Sequence, residues 1–310
     1  MSSFLVTGGA GFIGSHITEA LVKKGHSVRV LDNFSSGKES NLSGVKGGIE
    51  LLRADIRSQD SCRKATKGID FLLHQAALRS VPRSMVNPAE YNEVNIAGTL
   101  NLLQAARENR VKRFIFASSS SVYGEVGVFP EEESFLPRPI SPYALTKVAG
   151  EYYCGIFSRH YALSTISLRY FNVFGPRQSL DDEYAVVIPR FINGMLKEEP
   201  LPVYGNGKQS RDFTYIDNVV EANILAAGKE DIKEGVFNIA SGKDYGILEL
   251  IGQLNLIMNK NIQPSFLPTR PGDVFKTLAD ISKSKSILGF SPKIDFIQGL
   301  KLTVKYFKGE

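Results

Sequence analysis

Cysteine is scarce in this chain: Cys62 and Cys154 are the only two, and they lack the paired spacing of a metal knuckle or a redox motif. That excludes a disulfide-stapled secreted scaffold and a cysteine-held metal centre, so no metal is expected and both thiols should be free in a reducing compartment. Also missing is any apolar run near the roughly 18 residues of a membrane-spanning helix, and no basic segment leads into an apolar one at the N-terminus. The reading is a cytoplasmic protein without a membrane partner. Dense Lys/Arg blocks with interleaved aromatics are absent, and the net charge is only +5. No nucleic-acid partner is therefore expected, whereas a moderately basic surface suits a small anionic substrate. Internal repeats and low-complexity tracts do not occur.

What is present is an ordinary globular composition, 43% hydrophobic and 22% charged over 310 residues, enough for one large domain or two lobes. Residues 4–7 read as a short strand running into Gly8, Gly11 and Gly14, then into the helical pattern of Ile17, Ala20 and Leu21, stopped by Gly25. Glycines there let the backbone turn tightly and approach a pyrophosphate, while the helix N-terminus offers free N–H groups and positive potential. A second strand at 27–31 ends at Asp32, the spacing at which a carboxylate meets an adenosine ribose. Because a carboxylate accepts from ribose hydroxyls and repels a 2′-phosphate, the expected cofactor is NAD rather than NADP.

The alternation continues with a strand at 49–53 before Asp55 and Ile56, a helix near 59–67, and a strand at 70–74 before Gln75, Ala76 and Ala77. One long helix at 88–109 and a strand at 113–117 before the serine run 118–121 follow. This is the pattern of an α/β fold, a doubly wound parallel sheet whose ligand loops lie at the carboxyl ends of its strands. Asp55 is placed to reach an adenine edge, or else to cap the next helix. Glu131, Glu132 and Glu133 read as a solvated loop. After a strand at 163–169, prolines at 189, 200, 202, 264, 268 and 271 separate shorter elements. The expected division is a nucleotide-binding domain at 1–171 and a smaller, mainly substrate-binding lobe at 172–310, with strand segments at 213–217 and 236–239 returning to the first.

Ser141-Pro142 suits an N-cap and first helical position, and it places Tyr143 and Lys147 on one helix face. An isolated Tyr-x-x-x-Lys is usually structural. A tyrosine acting as a base near neutrality needs its phenolate stabilised by about 4 kcal/mol, and an adjacent ammonium and a helix N-terminus both push that way.

With the glycine turn, Asp32, Asp55, the serines before Val122-Tyr123-Gly124, and Tyr143-x-x-x-Lys147 in order, the sequence resembles the extended short-chain dehydrogenase/reductases over nearly its whole length. Within them it is most similar to the nucleotide-sugar 4-epimerases, through His74-Gln75-Ala76-Ala77, the segment from Arg169 to Pro176, Ser210-Arg211-Asp212-Phe213 and Arg270-Pro271-Gly272-Asp273. The resemblance implies a Rossmann-type sheet and a tightly held NAD contacted by Gly8, Gly11, Phe12, Ile13, Gly14, Asp32, Asn33, Asp55, Ile56, Gln75, Ala76 and Ala77, together with Tyr143 and Lys147. It implies that Tyr143 takes the proton of the sugar 4-hydroxyl as hydride leaves C4, and that the 4-keto sugar turns and receives hydride on its other face. Lys147 would lower the tyrosine pKa and hold the nicotinamide ribose, and Ser119 would hydrogen-bond the reacting oxygen.

The resemblance further implies a UDP-sugar substrate contacting Ser80, Ser119, Ser120, Tyr143, Asn172, Val187, Arg190, Arg211, Arg270, Asp273 and Thr277. Related 4,6-dehydratases and UDP-xylose-forming decarboxylases carry acids before the Val-Tyr-Gly segment, where this chain has Ser119 and Ser120. Epimerisation needs one acid/base, which is what remains. Thr277 occupies a position that gates pocket size in the family; its small side chain leaves room for an N-acetyl group. The reading is a UDP-hexose 4-epimerase that accepts UDP-N-acetylglucosamine and UDP-N-acetylgalactosamine as well as UDP-glucose and UDP-galactose. The alternatives are a UDP-glucuronate 4-epimerase, a dehydrogenase that releases its cofactor, and a non-catalytic NAD-sensing protein on the same fold. Relatives dimerise through a four-helix bundle, which implies a homodimer built on the helices at 88–109 and 143–160.

Overall fold

A computed structural model describes residues 1–179, 187–269 and 274–310. Six strands follow one another with helices between them: β1 (Ser3–Thr7), β2 (Ser27–Asp32), β3 (Ile49–Arg53), β4 (Phe71–His74), β5 (Arg113–Ser119) and β6 (Ser164–Tyr170). Their apolar runs do not alternate, because helices cover both faces and strands such as β1 and β5 are buried along most of their length. The seventh strand of the sheet is Glu234–Ile239, and the order across it is Glu234–Ile239, β6, β5, β4, β1, β2, β3, all parallel. The chain leaves β3 at one edge and re-enters at β4, on the other side of β1. The carboxyl ends of β1 and β4 therefore diverge into the crevice where a doubly wound sheet binds its ligand.

Of the two segments expected to return to this sheet, only the second joins it. Thr214–Tyr215 pairs instead with Val173–Phe174 in a two-stranded ribbon. What comes back to the sheet is the next element, the helix Ile216–Gly228, which packs against the helix Phe12–Lys23. Buried Arg113 fastens that helix to β5, donating to Ala226 O at 2.8 Å and to Ile232 O at 2.8 Å. The remaining ribbons, Leu201–Tyr204 with Pro264–Leu267 and Ser210–Asp212 with Asp244–Gly246, lie beyond the sheet's carboxyl edge. The second of these is held by an aromatic cluster in which Phe296 stacks on Phe213 and Tyr245 at 5.3 and 4.1 Å between ring centroids.

The helix expected at 88–109 is broken into Pro88–Tyr91, a π-helical stretch Asn92–Ala97, and Gly98–Glu108. The wider turn accompanies a polar side chain aimed inward. Asn95 is buried, accepts from Leu78 N at 2.8 Å, and donates to Leu78 O at 2.9 Å and Thr146 Oγ1 at 3.0 Å. Among the described residues no helix is long and apolar enough to cross a membrane.

Candidate active site

The glycine turn after β1 is shaped by contact rather than by flexibility alone. Gly8 sits at φ +66°, and a Cβ on Gly14 would lie 2.1 Å from Gly8 O, so the turn folds onto the first helical residues with no space for a side chain. Gly11 caps the helix Phe12–Lys23 without a side-chain hydrogen bond, and no acidic residue occupies the first turn. The free N–H groups and positive end of that helix suit a pyrophosphate. Asp32 ends β2, buried, and accepts from Ala10 N at 2.9 Å and Phe34 N at 2.8 Å. Burial raises its pKa against those two bonds. Next to it Asn33 donates to Asp55 at 2.9 Å, and Arg57 grips the same carboxylate, holding it down at about 2. Ser58, not Asp55, caps the helix Gln59–Thr66, accepting from Ser61 N at 3.3 Å. These residues fit an adenine dinucleotide: a bare helix end for the phosphates, with Asp32 and Asp55 at the ends of neighbouring strands.

His74 is a pin in this wall. Thr99 donates to Asn95 O at 2.5 Å, so it receives the Nε2 proton of His74 at 2.9 Å. Nδ1 then accepts from Thr7 at 2.7 Å, and Thr7 Oγ1 accepts from Ala76 N at 3.3 Å. A fully buried neutral imidazole results, its pKa pushed down to about 3, and it fixes the Gln75–Ala77 backbone. Gln75 donates to Asn223 at 3.1 Å, which in turn bonds Tyr170.

Ser141 caps the helix Pro142–Tyr161, accepting from Ala144 N at 3.2 Å, with Pro142 at its first position. The helix lies directly on β5: a Cβ on Gly150 would stand 2.2 Å from the Phe116 ring. That close approach buries Lys147, whose Nζ donates to Ala117 O at 2.8 Å and lies 5.8 Å from the centre of the Tyr143 ring. Burial pushes Lys147 down to about 8, opposed by the Glu151 carboxylate one turn further on. Glu151 is itself paired with buried Arg169 at 2.7 Å and accepts from Ser118 at 2.5 Å. Tyr143 is half-buried, and its pKa is raised by burial, with Ser119 and Arg79 pulling the other way. Desolvation and the neighbouring groups thus act in opposite directions on this phenol, and desolvation is the larger.

A cleft of about 470 Å³ opens over Tyr143. Ser80, Ser119, Ser120, Asn172, Val187, Arg190, Arg211 and Thr277 all line it, and Arg270 and Asp273 lie outside the described residues. Ser80 caps a short helix, Val81–Val86. Asn172 bridges the two parts of the molecule: its amide donates to Asp212 O and to Thr277 Oγ1, both at 2.9 Å, which turns Thr277 inward. Asp212 buttresses that ribbon from behind, accepting from Ser241 Oγ at 2.7 Å and Gly242 N at 3.0 Å, with burial pushing its carboxyl up to about 6.

Of the three glutamates read as a solvated loop, 131–133, only Glu132 is exposed. Glu131 N donates to Leu278 O at 2.6 Å and Glu131 O accepts from Asp280 N at 2.8 Å, and this pairing turns its side chain inward to 1% exposure. Its Oε2 has no partner, and burial pushes the carboxyl up to about 8, with Asp212 adding to the effect. Glu133 accepts from Asn238 N at 2.8 Å.

Three groups escaped the sequence reading. Arg79 lines the cleft one position before Ser80, and Glu151 and Arg169 stand behind Lys147. Glu151 carried a signal, since it continues the 143, 147 face by another four residues; Arg79 carried only its place after a strand's carboxyl end.

The model of the NAD dependent epimerase/dehydratase family matches residues 4–240. The chain belongs to that family. Among family members of known structure, the UDP-N-acetylglucosamine 4-epimerase from Methanobrevibacter ruminantium, solved with UDP-N-acetylmuramic acid, is 42% identical with a TM-score of 0.95 over 99% of this chain and 98% of that one. The Thermus thermophilus UDP-glucose 4-epimerase, solved with NAD, is 38% identical with a TM-score of 0.92 over 99% of each chain. A Bacillus cytotoxicus UDP-N-acetyl-alpha-D-glucosaminuronate decarboxylase is 38% identical over 98% of this chain and 97% of its own. NAD is the family's cofactor.

Proposed function

We propose that the protein is a UDP-hexose 4-epimerase that uses NAD, interconverts gluco and galacto epimers through a 4-keto sugar, and admits N-acetylated hexoses. The observation that carries this reading is the company Tyr143 keeps: Lys147 beneath it, Ser119 beside it, and neither Asp nor Glu among the described residues lining the cleft. Dehydration and decarboxylation ask for a further proton donor or acceptor at C5 or C6, whereas epimerisation cycles one proton through one residue. NAD, when bound, supplies a reversible hydride acceptor. Tyr143, acting as the phenolate, takes the 4-hydroxyl proton as hydride leaves C4 and returns it when hydride comes back; Ser119 steadies the phenolic oxygen. Lys147, charged below about pH 8, supplies the positive field that lets Tyr143 give up its own proton. Arg211 holds the sugar diphosphate through its planar fork, and Asn172, its amide hydrogens engaged by Asp212 O and Thr277 Oγ1, fixes the wall beside it. Thr277, with its hydroxyl engaged by Asn172, leaves the space beside it to an N-acetyl group.

Proton NMR of the purified protein with UDP-N-acetylglucosamine tests this directly. The galacto anomeric signal should grow to equilibrium without net NADH. Accumulation of NADH would instead indicate a dehydrogenase, and release of carbon dioxide from a uronate substrate a decarboxylase.

The same proposal includes a homodimer in the cytoplasm. Leu145, Tyr152 and Ile156 form an exposed apolar stripe along the helix Pro142–Tyr161, 54%, 58% and 41% accessible, with Met85 nearby at 61%. A stripe of this kind on a long helix is what a two-fold helix bundle covers. Sedimentation at micromolar concentration should give twice the chain mass, and Ile156→Glu should halve it; a monomeric wild type would remove the dimer from the proposal.

A further inference from the structure

We propose that Glu131 is a positioning residue for nucleotide-sugar binding: while it holds a proton it keeps the cleft wall of Arg211 and Thr277 in place, and its ionisation weakens that wall's hold on the substrate. This rests on the nucleotide-sugar epimerase reading and adds to it a proton-linked control of affinity.

The wall is a strip of backbone, residues 275–280, held from two sides. On one side it pairs with the strand Ser210–Asp212: Ser210 N donates to Phe275 O at 3.1 Å, Thr277 N to Ser210 O at 3.2 Å, and Asp212 N to Thr277 O at 2.9 Å. On the other side it pairs with Glu131, through Leu278 O and Asp280 N. Asn238 ties that edge, its amide donating to Glu131 O at 2.9 Å and to Asp280 O at 3.0 Å. Thr277 and Arg211 line the cleft from this assembly, so their places depend on the Glu131 pairing.

Two buried carboxyls stand behind the wall, and their surroundings decide which one is charged. Asp212 accepts from Ser241 N and Oγ on one oxygen and from Gly242 N and Ala279 N on the other, the setting of an ionised carboxylate. Glu131 is buried too, and its Oε2 has no partner. A single proton shared by the two therefore belongs to Glu131. The cations facing it are Arg211 from the ribbon and Arg169 from β6. Arg169 already grips Glu151 through two bonds and lies over the Tyr123 ring, whose hydroxyl donates to Asn238. Among the neighbouring acids, Glu133 accepts from Asn238 N, Asp280 accepts from Ser282 N, and Asp244 pairs with Lys276 at 3.2 Å. A negative charge on Glu131 would repel Asp212 across the strip and cancel part of the positive potential that Arg211 offers a diphosphate. Both effects weaken substrate binding. By reciprocity, substrate binding must then draw a proton onto Glu131.

Calorimetric titration of the NAD-loaded protein with UDP-N-acetylglucosamine and with UDP-glucose, from about pH 6.5 to about 9.5 in buffers of differing ionisation enthalpy, measures both sides of this linkage. The diphosphate of these sugars is a diester and does not itself titrate there. Kd should be level up to about pH 8, where the Glu131 carboxyl ionises, and then rise by up to about tenfold per pH unit. Near pH 8 binding should take up a fraction of a proton, seen as a binding enthalpy that changes with the buffer. Glu131→Gln, neutral at every pH, should bind at about pH 9 as tightly as wild type does at about pH 6.5, with the proton uptake gone. In initial rates the pH effect should appear in KM. The proton count is read on the wild-type protein, so it stands even where the variant does not fold. A level Kd with no proton taken up, or a loss of affinity that persists in Glu131→Gln, would overturn the inference and leave the epimerase reading standing. Binding of neither sugar at any pH would sink both.

Discussion

Replacing Lys147 by methionine should make the protein more stable at neutral pH while removing its activity. The ammonium is 5% exposed, and burial lowers its pKa from 10.5 to about 8. At about 1.4 kcal/mol per pH unit, keeping it charged costs the fold roughly 3 kcal/mol. Methionine has nearly the same length and no charge, so it fills the same space. It cannot donate to Ala117 O, a loss of about 1 kcal/mol. The net gain expected at pH 7 is therefore about 2 kcal/mol. Its pH dependence has a definite sign. Between pH 8 and 10.5 the unfolded chain holds the lysine proton and the folded one does not, so wild-type stability from this group rises with pH in that window. The advantage of the variant is full below about pH 8 and fades as pH climbs towards 10.5. Urea unfolding followed by circular dichroism at pH 7 and pH 10, comparing Lys147→Met with wild type, measures it. A variant destabilised at pH 7, or a difference that does not shrink at pH 10, would refute the claim that Lys147 is held charged against its surroundings.

The other tests address the acid/base, the nucleotide turn and the buried carboxyl. Tyr143→Phe should lower kcat by about 10²- to 10⁴-fold with NAD content unchanged, since the phenol carries the proton but does not shape the nucleotide turn; near-normal turnover would exclude Tyr143 as the acid/base. In Gly14→Ala the new methyl meets Gly8 O, so the turn must shift, at a cost on the order of 1–3 kcal/mol, and both the melting temperature and NAD retention should fall. Glu131 binds its proton more tightly folded than unfolded, with a pKa of about 8 against 4.5, so stability from this group declines as pH rises from about 4.5 to 8. Glu131→Gln should match wild type near pH 4.5 and exceed it at pH 8 by an amount on the order of 4 kcal/mol; a constant difference across that range would mean the carboxyl is not buried as described.

Local chemistry was legible in the sequence because it repeats over short distances. The strand–glycine–helix start, Asp32 at a strand's end, and Ser141-Pro142 opening a helix with Tyr143 and Lys147 on one face are all statements about neighbours in the chain, and backbone geometry enforces them. Parallel strands buried on both faces likewise announce themselves as unbroken apolar runs. The places where the reading failed are those where distant residues meet. Glu131 looked solvated within an acidic triplet, yet its backbone pairs with residues 278–280, which turn it inward. The helix at 88–109 looked regular, yet Asn95 is drawn out of register by Leu78 and Thr146. The segment 213–217 had the composition of a sheet strand, but its partner is Val173–Phe174.

The sequence by itself determined the fold class, the expected NAD preference and the identity of the candidate acid/base pair, because each depends on residue type and spacing along one element. Only the tertiary structure decided how those groups behave. Burial raises the Tyr143 pKa and lowers that of Lys147, and one cleft gathers Arg79 and Ser119 with Arg211 and Thr277 from distant parts of the chain. Desolvation and long-range charge belong to the surroundings of a side chain, and those surroundings exist only once the chain has folded.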